Sequence, residues 1–163
     1  MSDAGYTAPL LATWRRMIRW PAGRWLFSRA VCFKAPYFST IAPRFLDLEP
    51  GRCEVVMRDR RAVHNHIGTV HAIALCNLAE LAGGVMLDAS LPRGMRWIPK
   101  GMTVAYLAKA RGPMRAVATP ERPIEAADAG HELPVAVEVT DTAGEAVFRA
   151  RIMMWVSPRS RRK

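Results

Sequence analysis

Cysteine, acidic side chains and long apolar runs are all scarce in this chain of 163 residues. The three cysteines, Cys32, Cys53 and Cys76, are odd in number and no two stand at a metal-ligand spacing. That excludes a disulfide framework and a thiolate metal cluster, and leaves them as reduced, small apolar residues. The longest apolar stretch, Ala72 to Leu87, is interrupted by Asn77 and Glu80 and is short of the ~20 residues that cross a bilayer. No membrane-spanning helix is expected. Where a secretory signal would place an uninterrupted apolar segment, the chain has Trp14, Arg15, Arg16 and Arg19, so the expected location is the cytoplasm.

The shortage of acid, 14 Asp/Glu against 24 Lys/Arg, leaves a net charge of +10. Divided along the chain, that charge is not a nucleic-acid signal. Residues 1–36 carry six Lys/Arg against Asp3, and residues 157–163 carry four against none, so residues 37–156 hold only +1. The basicity belongs to the ends, and no nucleic-acid partner is expected; a peripheral contact with an anionic membrane would draw on these ends alone.

Half the residues are hydrophobic, enough at this length for one core and one domain. Three parts follow: basic amphipathic helices over 1–36, a core domain over 37–157 and a basic tail over 158–163. Leu10, Leu11, Trp14, Met17 and Ile18 recur at helical spacing with Arg15, Arg16 and Arg19 opposite, and Trp25, Leu26, Ala30 and Phe33 predict a second short helix before Pro36. Both helices are expected to dock on the domain's own surface; the competing arrangement lays Trp14, Trp20 and Trp25 into a membrane interface.

From Ile41 the apolar residues alternate. "RFLDLEPGRCEVVMRD" reads as a hairpin about Pro50-Gly51, "RWIPKGMTVAYLAKARGPMRAVATP" as a second about Gly112-Pro113, and "LPVAVEVTDTAGEAVFRARIMMWVSP" as a third about Thr142-Ala143-Gly144. Two strands, one long apolar helix and four strands make an α+β domain, with the helix packed against one face of an antiparallel sheet.

The helical segment sits in "HNHIGTVHAIALCNLAELAGG", His64 to Gly84. Its carboxylate, Glu80, lies among Ala, Leu, Ile, Val and Met, with Asn77 three residues earlier on a neighbouring part of the same face and Cys76 also beside it. A carboxylate there must be hydrogen-bonded, paired or protonated, and partial desolvation would suit it to acid-base work; a helix edge or subunit contact is the bland alternative. Gly83 and Gly84 inside the helix imply close approach by the sheet, a partner helix or a ligand, with helix packing across a dimer the plainest reason. His64, His66 and His71 lack a companion carboxylate or cysteine at ligand spacing, so no metal site is expected.

The same segment resembles the signature of hotdog-fold acyl-CoA thioesterases of the phenylacetyl/hydroxybenzoyl-CoA type, on Asn65, Gly68, His71 and Glu80, and comes nearest an uncharacterised branch of that superfamily. The resemblance extends from about Ser39 to Ser157. It implies a hotdog fold, a sheet wrapped around one long central helix, in a homodimer or tetramer whose active sites take residues from both protomers. It further implies hydrolysis of an acyl-CoA or acyl carrier thioester, coenzyme A entering only as part of the substrate and no separate cofactor being used. Glu80 would be base or nucleophile, Asn65 would orient water or substrate, and the N–H after His71, that of Ala72, would bind the oxyanion. The family usually has Gly at that place, so Ala72 narrows access to the N–H without removing it. Gly68 and Asn77 would line the substrate site, and Arg96, Lys109 and Arg111, with Lys100 and Arg115 nearby, could hold the phosphates of coenzyme A. Hydratases of the same fold suggest a second role, His66 as base and Glu80 as acid, and a non-catalytic acyl-CoA or lipid binder is a third.

Overall fold

The computed structural model describes residues 6–159; most of the basic tail and the first five residues lie outside them. Two short helices, α1 (Pro9–Met17) and α2 (Gly23–Lys34), precede a 3-10 turn at Pro36–Ile41. Then come β1 (Pro43–Glu49), β2 (Arg52–Met57), the central helix α3 (Ala72–Ser90), β3 (Met95–Tyr106), β4 (Met114–Pro120), β5 (His131–Thr140) and β6 (Ala146–Pro158). All strand pairs are antiparallel, in one six-stranded sheet ordered β1-β2-β4-β5-β6-β3.

Alternation along the strands decides which face meets α3. In β2, Cys53, Val55 and Met57 are buried, as are Met114, Ala116 and Ala118 in β4 and Val135, Val137 and Val139 in β5. These rows lie under Leu78, Ala82, Met86 and their neighbours on α3, which reaches all six strands. The helix is apolar on nearly all sides because α1 and the 3-10 turn cover part of what the sheet leaves open. This is the hotdog arrangement.

Two of the three expected hairpins form, β1–β2 and β5–β6. The second does not: Gly112 is a left-handed turn residue (φ +78°), but β3 pairs with β6 at the sheet edge while β4 lies between β2 and β5. The chain after β3 therefore crosses from the edge to the middle of the sheet. Of the close approaches expected at the helix glycines, the structure shows the sheet's. A Cβ on Gly83 would meet Ile152 Cδ1 at 3.3 Å, and one on Gly84 would meet Trp97 Cη2 at 2.7 Å. Sheet side chains occupy the space given to a partner helix.

The N-terminal helices dock on the domain. Trp14, Phe27 and Phe45 stack edge to face at centroid distances of 5.0 and 5.3 Å, joining α1, α2 and β1. Buried Ser28 accepts a hydrogen bond from the Phe45 N–H at 3.0 Å and donates to the Arg24 carbonyl at 2.7 Å. Trp14, only 2% exposed, is core and unable to reach a membrane interface, whereas Trp20 and Trp25 face solvent.

Candidate active site

The start of α3 is prepared by the loop before it. Asn65 organises that loop: its Oδ1 accepts from the N–H groups of Ile67 and Thr69, both at 3.1 Å, and its Nδ2 donates to Thr69 Oγ1 at 2.8 Å. Gly68 takes φ +74° at the turn, a conformation that favours glycine. The N–H of His71 donates to the Val63 carbonyl, and His71 Nδ1 caps the helix by accepting from Ile73 N–H at 3.0 Å. The neighbouring N–H, that of Ala72, has no protein acceptor among the described residues. It stands at the positive end of the helix dipole.

Two of the expected cations belong to this end. The Val70 N–H donates to the Ala110 carbonyl at 2.9 Å, pinning the segment that carries Lys109 and Arg111 beside the entry to α3. Both are exposed and have no hydrogen-bond or ion-pair partner among the described residues. Lys100 instead pairs with Glu132 at 3.0 Å and lies over the Trp155 ring, and Arg115 pairs with Glu54 at 2.6 Å. Arg96 sits beyond the other end of α3, with its Nε 3.4 Å from Ser157 Oγ and its side chain in a hollow shared with Asp88 and Leu91. It is not brought together with Lys109 and Arg111.

Glu80 lies two turns into the helix, half-buried, in the wall of a cavity of about 380 Å³. Leu81, Gly84, Val85 and Asp88 continue that wall along α3, and Trp97 closes it from β3. The roof comes from the N-terminal helices and the 3-10 turn, chiefly Leu10, Phe27, Val31 and Phe38, with Lys34 at the rim. No hydrogen bond or ion pair among the described residues reaches the Glu80 carboxylate. Asp88, by contrast, accepts from Trp97 Nε1 at 2.7 Å. The helix thus presents an unengaged carboxylate to a mainly apolar chamber.

Along α3, however, Ala72 and Glu80 are eight residues, about 12 Å, apart. The oxyanion-ready N–H and the carboxylate of one chain thus stand at separate places along the helix. His66 is exposed in the loop and contributes nothing to the Glu80 cavity. Asn77 is buried, donating to Thr40 Oγ1 at 3.1 Å while its Oδ1 lacks a partner. Cys76 is 3.5 Å from the Tyr106 hydroxyl; that contact, more than burial, pushes the Tyr106 phenol up to about 12. His64 bonds to Asp59, and no cluster of three metal-ligating side chains exists among the described residues.

Residues 23–156 match the family model described as Domain of unknown function (DUF4442). The chain belongs to the DUF4442 family. No curated protein matches it. This DUF4442 protein is similar to the crystal structure of genomics target APC5556, with 48% identity and a TM-score of 0.78 over 92% of this chain and 99% of that one. It is also similar to PA5026 from Pseudomonas aeruginosa, described as a protein of unknown function and probable thioesterase: 26% identity, TM-score 0.67, 76% of this chain and 88% of that one. Thioesterase HI1161 from Haemophilus influenzae shares the fold at 16% identity and a TM-score of 0.65, over 75% and 82% of the two chains. The hotdog fold of the DUF4442 protein is therefore that of thioesterase-family proteins.

Sequence reasoning missed the cavity's other walls. Asp88 could have been found, since Glu80, Gly84 and Asp88 recur every four residues along one helix stripe. Lys34, Phe38 and Trp97 carry no local signal, because they meet Glu80 only through tertiary packing.

Proposed function

We propose that this DUF4442 protein is a cytoplasmic hydrolase of acyl-CoA or acyl carrier thioesters, with the acyl chain in the Glu80 cavity. The observation that carries the reading is the unpaired Glu80 carboxylate in an apolar chamber. At ~30 Å³ for a group the size of a water or methylene, the chamber suits an acyl chain of roughly a dozen carbons. As general base, Glu80 takes a proton from water while the water oxygen bonds to the thioester carbon. The carbonyl becomes an oxyanion, then re-forms as the C–S bond breaks, and the departing thiolate takes up the proton. As nucleophile, Glu80 would form an acyl anhydride that water hydrolyses to the same products.

The distance between Ala72 and Glu80 supports a homodimer in which one protomer supplies the oxyanion-binding N–H and the other the carboxylate. Strand β3, the long edge strand with Ile98 and Tyr106 exposed, offers a surface for such pairing. Lys109 and Arg111, beside the start of α3, would hold the phosphates of coenzyme A, whose other groups need no separate cofactor. Asn65 would then act by shaping the loop more than by touching substrate.

The test is thiol release from acyl-CoAs of graded chain length, with Glu80→Gln as control. The expected result is turnover that peaks at medium chain length and falls by about 10²–10⁴ in the variant. No release across the panel, or equal release by a folded Glu80→Gln protein, overturns the proposal and leaves a non-hydrolytic acyl binder as the better account.

A further inference from the structure

Residues 4–46 contain seven Lys/Arg and no Asp or Glu. Within that segment, α2 has two different faces. Phe27, Val31 and Lys34 turn toward the cavity. At 100° per residue, Trp25, Leu26, Arg29 and Phe33 fall within about 100° of one another on the side away from it. That side is exposed: Phe33 by 91%, Trp25 by 58% and Leu26 by 45%, with Trp20 at the preceding corner exposed by 70%.

Trp20 and Trp25 flank a shallow hollow with Arg19, Arg24 and Arg44, and the adjoining hollow adds Arg29 and Arg58. Neither hollow is lined by a carboxylate, and none of these five arginine side chains has a hydrogen-bond or ion-pair partner among the described residues. Protruding aromatics ringed by unpaired arginines suit few partners. A protein interface would have to supply an acidic match for every guanidinium it dried. A nucleic acid would neutralise the arginines but leave Leu26 and Phe33 in water. A bilayer with anionic headgroups takes both: phosphates hold the arginines, while Trp and Phe enter the boundary with the acyl chains.

We infer that the α1–α2 corner is a docking face for anionic membrane surfaces, with Trp20, Trp25 and Phe33 inserted at headgroup depth and Arg19, Arg24, Arg29, Arg44 and Arg58 on lipid phosphates. Docking does not depend on hydrolysis. Its consequence for the proposed function is geometric: the inner side of the same helix roofs the Glu80 cavity, so a docked protein holds that cavity about one helix diameter, ~10 Å, from the lipid.

The test is co-sedimentation of the full chain with vesicles of phosphatidylcholine alone and of equal parts phosphatidylcholine and phosphatidylglycerol. Binding is expected to the anionic vesicles only and to weaken with added salt. Trp20→Ala/Trp25→Ala and Arg24→Glu/Arg29→Glu are each expected to lower partition by about tenfold or more while leaving the melting temperature unchanged, since all four side chains are exposed. In the unaltered protein, brominated lipid should quench tryptophan fluorescence, a readout that needs no variant. Any of three results overturns the inference: no binding to anionic vesicles, binding unchanged in both variants, or a dimer by sedimentation that dissociates in Trp20→Ala/Trp25→Ala, which would make this face a subunit contact.

Discussion

Replacing Glu80 with leucine separates a functional carboxylate from a structural one. Glu80 is half-buried against Leu81, Val85, Phe27 and Phe38 and makes no hydrogen bond or ion pair among the described residues. Leucine there replaces the carboxylate with methyl groups on the wall of an apolar cavity; at ~0.8 kcal/mol per buried methylene-sized group, Glu80→Leu should gain about 1–2 kcal/mol. Leu and Glu have nearly equal helix propensities, so the backbone adds little. For a chain of this length each kcal/mol moves Tm by roughly 2–4 °C, giving an expected rise of about 2–8 °C. Thermal melts and urea titrations of the unaltered protein, Glu80→Leu and Glu80→Gln measure this directly. Stabilisation joined to loss of thioester hydrolysis is the pattern of a site that gives up stability for function. A Glu80→Leu protein less stable than its parent would refute the reasoning, because the carboxylate would then have partners that hold the fold.

Three further outcomes are expected. In Gly84→Ala the new Cβ would stand 2.7 Å from Trp97 Cη2, so the indole must shift from its bond to Asp88; a loss of about 1–3 kcal/mol in urea unfolding and a change in acyl-length preference would register it. Glu54 is held below the usual carboxylate range by hydrogen bonds from Arg115 and Arg52. Its stabilisation is full above that range and lost as pH falls through the lowered value, so the stability difference between the unaltered protein and Glu54→Gln, ~1–3 kcal/mol near neutrality, should shrink on acidification in urea titrations at graded pH. Cys76→Ala should lower the Tyr106 phenol from about 12 toward its ordinary value, as ultraviolet titration of the phenolate would show, since the Cys76 contact is the main cause of the shift.

Much of this protein can be read from local pattern. Alternation in "RCEVVM" and "HELPVAVEVT", the mainly apolar helix, and the turn residues Pro50-Gly51 and Thr142-Ala143-Gly144 are short-range signals, and the structure has the corresponding elements. The polar start of α3 was legible for the same reason: His71 caps the helix two residues from its hydrogen-bond partner. So was the presence of the Glu80 carboxylate on a mainly apolar helix.

Which elements meet was decided only in three dimensions. The Gly112-Pro113 turn signal is local and real, yet β3 joins β6 across some fifty residues, because strand pairing depends on which edges remain free once the helix has covered its face. The same holds for the chamber around Glu80. Its roof, Phe27, Val31 and Phe38, precedes the carboxylate by more than forty residues, and its closing wall, Trp97, follows by seventeen. Periodicity could assign α2 a helical form, but not the division of labour between a side that covers the cavity and a side that carries Trp25 and Phe33 outward. That division is a property of docking, since an apolar side chain is buried or exposed only according to what the fold places against it.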